Sequence, residues 1–409
     1  MWLCNTSVCL IAGGVITLAF AYYFYTPLPE FAAEPWLLRS YIFAFNTANY
    51  ASVILSSVTS MTQVEALRFI LDLAYYDAGS QNDPDVQVST DNFDGVPVKI
   101  FRPKAARSSS PAVVYFHGGG WMILSTDTYS EVTHLIAKTS NTIIVSVEYK
   151  LAPEHPYPRP FDDCLRATAH VLHNGEKYGI NPKRVAVAGD SAGGNLAAAV
   201  ALRLSQEDPD QTPPVKLQVL IYPVMQALDF NTYSYQTYSK TGILPMKLMV
   251  KMWMNYLGLS DAALISEFAA NNHTSPLLKK SEYASYLKHE NLPKEFQRTD
   301  FKPLGDNFGN QALSDRIEAA LTDPFISPLM APDLSKVPPA YIVVAENDVL
   351  RDEILLYAER LRKAGVPTEL KYYRRMHHGF IMLGSANALN FQEGIEAVTA
   401  IGEYVKKNL

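Results

Sequence analysis

The sequence predicts a mixed α/β fold built on a mostly parallel sheet, and three observations predict it. Short, continuously apolar runs alternate with longer runs of helical period, as in a chain of strand–helix units. Runs such as Ala112–Phe116 and Val185–Ala188 are apolar at every position, the pattern of strands covered on both faces. The chain has 409 residues, 48% of them hydrophobic, enough for one large domain with an insertion or for two smaller ones.

In chain order, the first feature is Val8–Tyr25 (VCLIAGGVITLAFAYYFY), 18 residues without a charge and just long enough to cross a hydrocarbon core. A signal anchor, a cleaved signal peptide and a buried core helix compete for it. Cleavage at Ala19-Phe20-Ala21 wants a basic region before the run, yet no Lys or Arg precedes Arg39. Tyr22, Tyr23, Tyr25 and Trp36 resemble an interfacial aromatic belt. The anchor is the reading taken, over residues 1–26. The few flanking charges lean toward a cytoplasmic N-terminus, hence a single-pass type II protein whose remaining chain faces a lumen or the exterior; the expected site is the endoplasmic reticulum, with the catalytic part luminal. Sequons stand at Asn5 and Asn272; in that orientation only Asn272 meets the glycosylation machinery.

Residues 27–80 are rich in aromatics and read as a helical segment that contributes to a cap. Strands are expected at Val98–Phe101, Ala112–Phe116, Thr142–Val147, Val185–Ala188 and Leu217–Tyr222, within a core region spanning 81–230. Pro97 cannot donate to a ladder, which suits the start of the first strand. Residues 231–336 break the alternation and are too long for a loop, so they read as a lid insertion. The core resumes over 337–409 with strands Ala340–Ala345 and Glu369–Tyr373. Helices are expected at Ala192–Leu204, Asp352–Ala364 and Phe391–Lys407; in the last, Ile395, Val398, Ile401 and Val405 recur at helical spacing.

Composition excludes several functions. Net charge is −6 and no Lys/Arg-rich block occurs, so a nucleic-acid footprint is absent. The three cysteines form no CxxC, which argues against a disulfide framework and a structural zinc. With no metal-ligand cluster or nucleotide loop, no cofactor and no metal are expected.

The chemistry concentrates in four places. Val185–Gly194 reads VAVAGDSAGG: a strand running into Gly189-Asp190-Ser191-Ala192-Gly193, then a helix. This is G-x-S-x-G in the strand–turn–helix setting that exposes a nucleophilic serine. Ser191 also sits at a helix N-terminus, where the dipole favours a developing oxyanion. The second place is Tyr115–Trp121, YFHGGGW. Its glycines let the backbone approach a bound carbonyl, and Gly118 and Gly119 with Ala192 are the expected oxyanion donors. The third is Glu346-Asn347-Asp348 after a late strand, with Asp348 as the acid and Glu346, Asp352 and Glu353 as competitors; Asp352 also suits an N-cap. The last is His377-His378. One of the pair is expected to be the base, because chain order should run serine, acid, histidine, but pattern alone does not choose between them.

Five segments together resemble a known family: HGGGW at 117–121, YKLAPEHPYP at 149–158, GDSAGGNLA at 189–197, AENDVLRDE at 345–353 and HHGF at 377–380. The chain resembles the hormone-sensitive-lipase-like branch of the α/β hydrolases, and within it the membrane-anchored arylacetamide deacetylase and neutral cholesterol ester hydrolase group. The resemblance implies an α/β-hydrolase fold with a helical cap, and a serine hydrolase that cleaves lipid or acyl esters, or arylacetamides, through an acyl-enzyme. It assigns the nucleophile to Ser191, the acid to Asp348 and the base to His378. Trp121 and Met122, with parts of the lid, are expected to line the substrate pocket. Tyr233, Tyr235, Met246, Met249 and Trp253 read either as acyl-pocket residues or as lid core. The same fold also carries ligand-binding receptors that have lost the histidine, so an inactive receptor and a soluble small-ester carboxylesterase are the alternatives. The intact serine, acid and histidine favour an enzyme.

Overall fold

The structure is a computed structural model and describes residues 27–74, 83–382 and 390–409, with residues 11, 13–15, 17 and 18 before them. Most of the expected anchor, and the sequon at Asn5, lie outside the described residues. The six described positions of the anchor run are helical and exposed, which removes the buried-helix reading for them. Among the described residues no helix is long and apolar enough to cross a membrane.

Helices α1 (Pro35–Val58) and α2 (Gln63–Ala74) come first, followed by strands β1 (Val86–Phe93), β2 (Val96–Pro103) and β3 (Ser110–Phe116). Then come α3 (Ser130–Ser140), β4 (Ile143–Val147), α4 (Arg159–Asn174), β5 (Ile180–Asp190), α5 (Ala192–Leu204) and β6 (Leu217–Ile221). Short helices fill the next stretch, among them α6 (Tyr233–Tyr238), α7 (Met246–Tyr256) and α8 (Gln311–Thr322). The chain closes with β7 (Ala340–Asn347), α9 (Arg351–Lys363), β8 (Thr368–His377) and α10 (Gln392–Asn408).

The strands form one sheet in the order β1-β2-β4-β3-β5-β6-β7-β8. From β4 to β8 neighbours pair in parallel; β2 runs antiparallel to both β1 and β4. The inner strands β4 and β6 are buried at every residue, as apolar runs between helical layers must be. α3 packs on α10, and α4 on α5.

All seven expected strands are present, most of them one to four residues longer at one or both ends. β1 was not expected. Its middle residues face water, so it lacks an apolar pattern. The Asp94-Gly95 turn into β2, with positive φ at both residues, is the sequence signal that marks this hairpin. Helix α4 was likewise not expected, although Phe161, Cys164, Thr168, Val171 and Leu172 give it a buried stripe at helical spacing.

Candidate active site

Four strand ends converge at the C-terminal edge of the parallel sheet, where ligands bind in open α/β sheets. β3 delivers the His117–Trp121 loop, β5 delivers Ser191, β7 delivers Asp348 and β8 delivers His378.

Ser191 has φ 54° and ψ −120°, a strained conformation for a non-glycine residue. The turn is held because Ser191 N–H donates to Ile221 O at 2.9 Å and Ser191 O accepts from Val224 N–H at 3.2 Å. Gly193 is obligatory: a Cβ there would lie 2.0 Å from Phe116 O. The hydroxyl so presented is 2.8 Å from His378 Nε2. On the far side of the ring, His378 Nδ1 is 2.7 Å from Asp348 Oδ2. Asp348 Oδ1 accepts from Leu350 N–H at 3.0 Å, so the carboxylate is held by two donors and buried. The order serine, imidazole, buried carboxylate has the geometry for base-assisted attack on a carbonyl.

The competitors are accounted for elsewhere. Glu346 pairs with Arg351 at 2.5 Å and accepts from Tyr238 Oη. Asp352 does not cap the helix; it pairs with Arg351 at 2.8 Å and accepts from Ser234 N–H at 2.9 Å. Glu353 accepts from Met225 N–H and Gln226 Nε2, and burial pushes its carboxyl up to about 8. His377 is buried, its Nδ1 2.7 Å from the carbonyl of His378. Burial pushes its imidazole down to about 4, so it is neutral. The structure thus brings His378, not His377, onto the serine. His117 is stacked on Tyr149, and its Nδ1 lies 2.7 Å from Gly118 O; it fixes the loop.

The glycine loop corrects one expectation. Gly118 N–H is occupied, donating to Asp190 Oδ1 at 3.0 Å, so it is not available to an oxyanion. Gly119 and Gly120 border the pocket beside Ser191. Among the described residues neither donates its N–H to another group. Both have positive φ, and a Cβ on Gly119 would lie 2.1 Å from Ile123 O. Ala192 opens α5, so its N–H has no acceptor within the helix. The donors available at the serine are therefore Gly119, Gly120 and Ala192.

Asp190 was not singled out from sequence. It is fully buried and accepts from Tyr129 Oη at 2.6 Å, Tyr115 Oη at 2.9 Å and Gly118 N–H. Burial pushes its carboxyl up to about 6, against those hydrogen bonds, which pull it down. It ties the strand before the nucleophile to the glycine loop.

The pocket over Ser191 has a volume of about 120 Å³. Its apolar wall comes from Tyr41 and Phe45 of α1, Leu71 of α2, Ile123 and Leu124 of the loop, and Leu248 and Met252 of α7. Trp121 and Met122 do not line it, a second correction. Trp121 is fully buried, stacked on Tyr256 at 4.3 Å and tilted against Trp253 at 4.6 Å; the aromatic contacts outcompete the pocket for its ring. Met122 turns its carbonyl to Arg68 Nε at 2.6 Å. Tyr235, Met249 and Trp253 are likewise buried outside the pocket wall, the lid-core reading for those three. Asn272 is half-buried, and among the described residues its side-chain amide makes no hydrogen bond.

Comparison with known proteins agrees with this fold. A family described as alpha/beta hydrolase fold matches residues 113–288 and 273–382. Neutral cholesterol ester hydrolase 1 of Mus musculus is 35% identical over 98% of this chain and 100% of its own length. Arylacetamide deacetylase of Oryctolagus cuniculus is 32% identical over 98% of this chain and 99% of its own. Among solved structures, an esterase of Pyrobaculum calidifontis superposes with a TM-score of 0.60 at 30% identity, covering 87% of this chain and 97% of its own. A thermostable esterase of Pseudomonas putida gives a TM-score of 0.63 at 25% identity, with 89% and 97% covered. On this evidence of sequence and fold, the chain belongs to the α/β-hydrolase family.

Proposed function

We propose that this carboxylic ester hydrolase works through an acyl-enzyme on Ser191 and takes esters with an apolar acyl group, on a domain tethered to a membrane by its first 26 residues. The observation that carries the reading is the unbroken Asp348–His378–Ser191 relay, with distances of 2.7 and 2.8 Å. His378 Nε2 accepts the proton of Ser191 Oγ as the oxygen attacks the carbonyl. Asp348 orients the ring and stabilises the imidazolium. The N–H groups of Gly119, Gly120 and Ala192 receive the oxyanion. His378 returns its proton to the leaving alcohol, and water then repeats the sequence on the acyl-serine.

The apolar pocket wall supports an acyl chain over a charged substrate. The curated relatives are named for a cholesterol ester and for arylacetamides, which supports a lipid ester or an acyl anilide as the substrate here. An intact relay argues against the inactive-receptor reading. The segment 231–336 is the lid on this reading, joined by 27–80 as the cap, since α1, α2 and α7 all reach the pocket. A luminal catalytic part would carry a glycan at Asn272, read as a gel shift on endoglycosidase treatment.

The deciding experiment is Ser191→Ala assayed on p-nitrophenyl esters. It should abolish turnover while circular dichroism and the unfolding midpoint stay put; retained turnover defeats the mechanism. A series of increasing acyl length, with an acetanilide beside it, then sorts esterase, lipase and amidase.

A further inference from the structure

All but two of the exposed large apolar side chains among the described residues, Leu277 and Leu304, lie between Ile11 and Leu73. They are not scattered. On α1, Trp36, Ile54 and Val58 fall close to one helical angle and face outward together. The opposite side of the same helix is also apolar: Leu38 and Ile42 are buried against the body. A helix apolar on both sides needs an apolar neighbour on both sides.

The charge on α1 points the same way. The 24 residues of α1 include one charged side chain, Arg39. The outward hydroxyls turn back onto the helix's own carbonyls: Ser40 onto Trp36 O, Thr47 onto Phe43 O and Ser57 onto Ile54 O, at 2.7 to 2.9 Å. On α2, Phe69 and Leu73 face outward. Arg68, just before Phe69, turns inward to Met122 O, Ala152 O and Glu154, while Glu65, one turn before Phe69, and Asp72, beside Leu73, stay exposed, so the apolar part of this face is at the α2 C-terminal end.

We propose that the outer face of α1 and α2 lies flat on an uncharged, zwitterionic lipid surface and takes substrate from it. α1 is apolar and nearly charge-free, so the attraction needs no anionic lipid. Nine residues separate it from the uncharged run Val8–Tyr25, with Glu30 and Glu34 in the gap. The two helices also share a wall with the active site, because Tyr41, Phe45 and Leu71 line the pocket from their inner side. An ester leaving the lipid surface therefore meets the same two helices that border Ser191. The inference rests on the ester-hydrolase reading and is independent of the N-terminal tether.

The test uses the full chain in phosphatidylcholine vesicles and a triple variant, Trp36→Asp with Ile54→Asp and Phe69→Asp. None of the three lines the pocket. Water-soluble p-nitrophenyl acetate should be hydrolysed within about twofold of wild type, since these are exposed sites. A long-chain ester dissolved in the bilayer should be hydrolysed on the order of tenfold more slowly, as three large side chains lose their apolar contact. That loss should be the same in high salt, and the pair Trp36→Phe with Ile54→Leu should restore the rate. Unchanged bilayer activity overturns the proposal. So does an equal loss on both substrates, which would assign the face to folding or to the pocket. A wild-type dimer that the triple variant dissociates, with bilayer activity kept, also overturns it, because a second copy would then cover the face. Alkaline extraction reads the tether separately: a wild-type chain that washes off defeats the tether and leaves the two-substrate comparison in force.

Discussion

Replacing Asp190 with asparagine separates the stability of the active site from its activity. Burial raises the carboxyl to about 6 from the 3.8 of an exposed aspartate, so keeping it ionised at neutral pH costs about 3 kcal/mol. Asparagine removes that cost. Its one oxygen, placed at Oδ1, still accepts from Tyr115 and Gly118, and its amide faces the Tyr129 hydroxyl, which can rotate to accept. Stability should therefore hold or rise, by at most about 3 kcal/mol. Activity should fall instead. The bond to Gly118 N–H loses its ionic character and about half its strength, and that bond locates the donors Gly119 and Gly120. Removing a whole oxyanion donor costs about 10²–10³ in kcat, so loosening the loop should cost about tenfold. The assay pairs urea unfolding with kcat on a p-nitrophenyl ester. The sign with pH follows from the raised value: between about 4 and about 6 the folded state holds more protons than the unfolded. Wild type therefore loses this part of its stability as pH rises through that window, and the asparagine variant does not. A variant destabilised by more than about 2 kcal/mol, or one with undiminished kcat, refutes the reasoning.

Three further outcomes are expected. His378→Gln should lower kcat by at least about 10⁴, whereas His377→Gln should stay within about tenfold, because only the former contacts Ser191; the reverse ranking in a steady-state assay would reassign the base. Trp121→Ala should cost about 3–5 kcal/mol in a denaturant titration by emptying its stack on Tyr256 and Trp253, with little change in KM for a small ester. Glu353→Gln should abolish a loss of stability that wild type shows as pH rises from about 4.5 to about 8, the value to which burial raises this carboxyl; identical pH profiles of the unfolding midpoint would count against it.

Much of the site was legible because each part depends on local backbone chemistry. Gly193 admits no side chain beside Phe116 O, and Ser191 needs its strained turn between a strand and a helix. Both constraints act over a few residues, so they leave a readable string. The parallel sheet was legible for a similar reason: strands covered on both faces must be apolar throughout. β1 escaped because its middle residues face water and carry no pattern.

The errors share one cause. Gly118 and Trp121 sit in the right loop, but what each does depends on partners remote in sequence. Asp190 takes the N–H of Gly118 across β3 and β5, and Trp253 and Tyr256 from α7 take the ring of Trp121. The choice between His377 and His378 was equally remote. The two are neighbours in the chain, and only the approach of β5 and β7 to the end of β8 puts Ser191 and Asp348 on one ring and a backbone carbonyl on the other. The sequence by itself determined the fold class, the nucleophile and the short list for the acid and base, because those rest on local turns and apolar runs. Only the tertiary structure decided which N–H groups remain free, which rings line the pocket and which side chains face outward, because each depends on what folding brings to the other side.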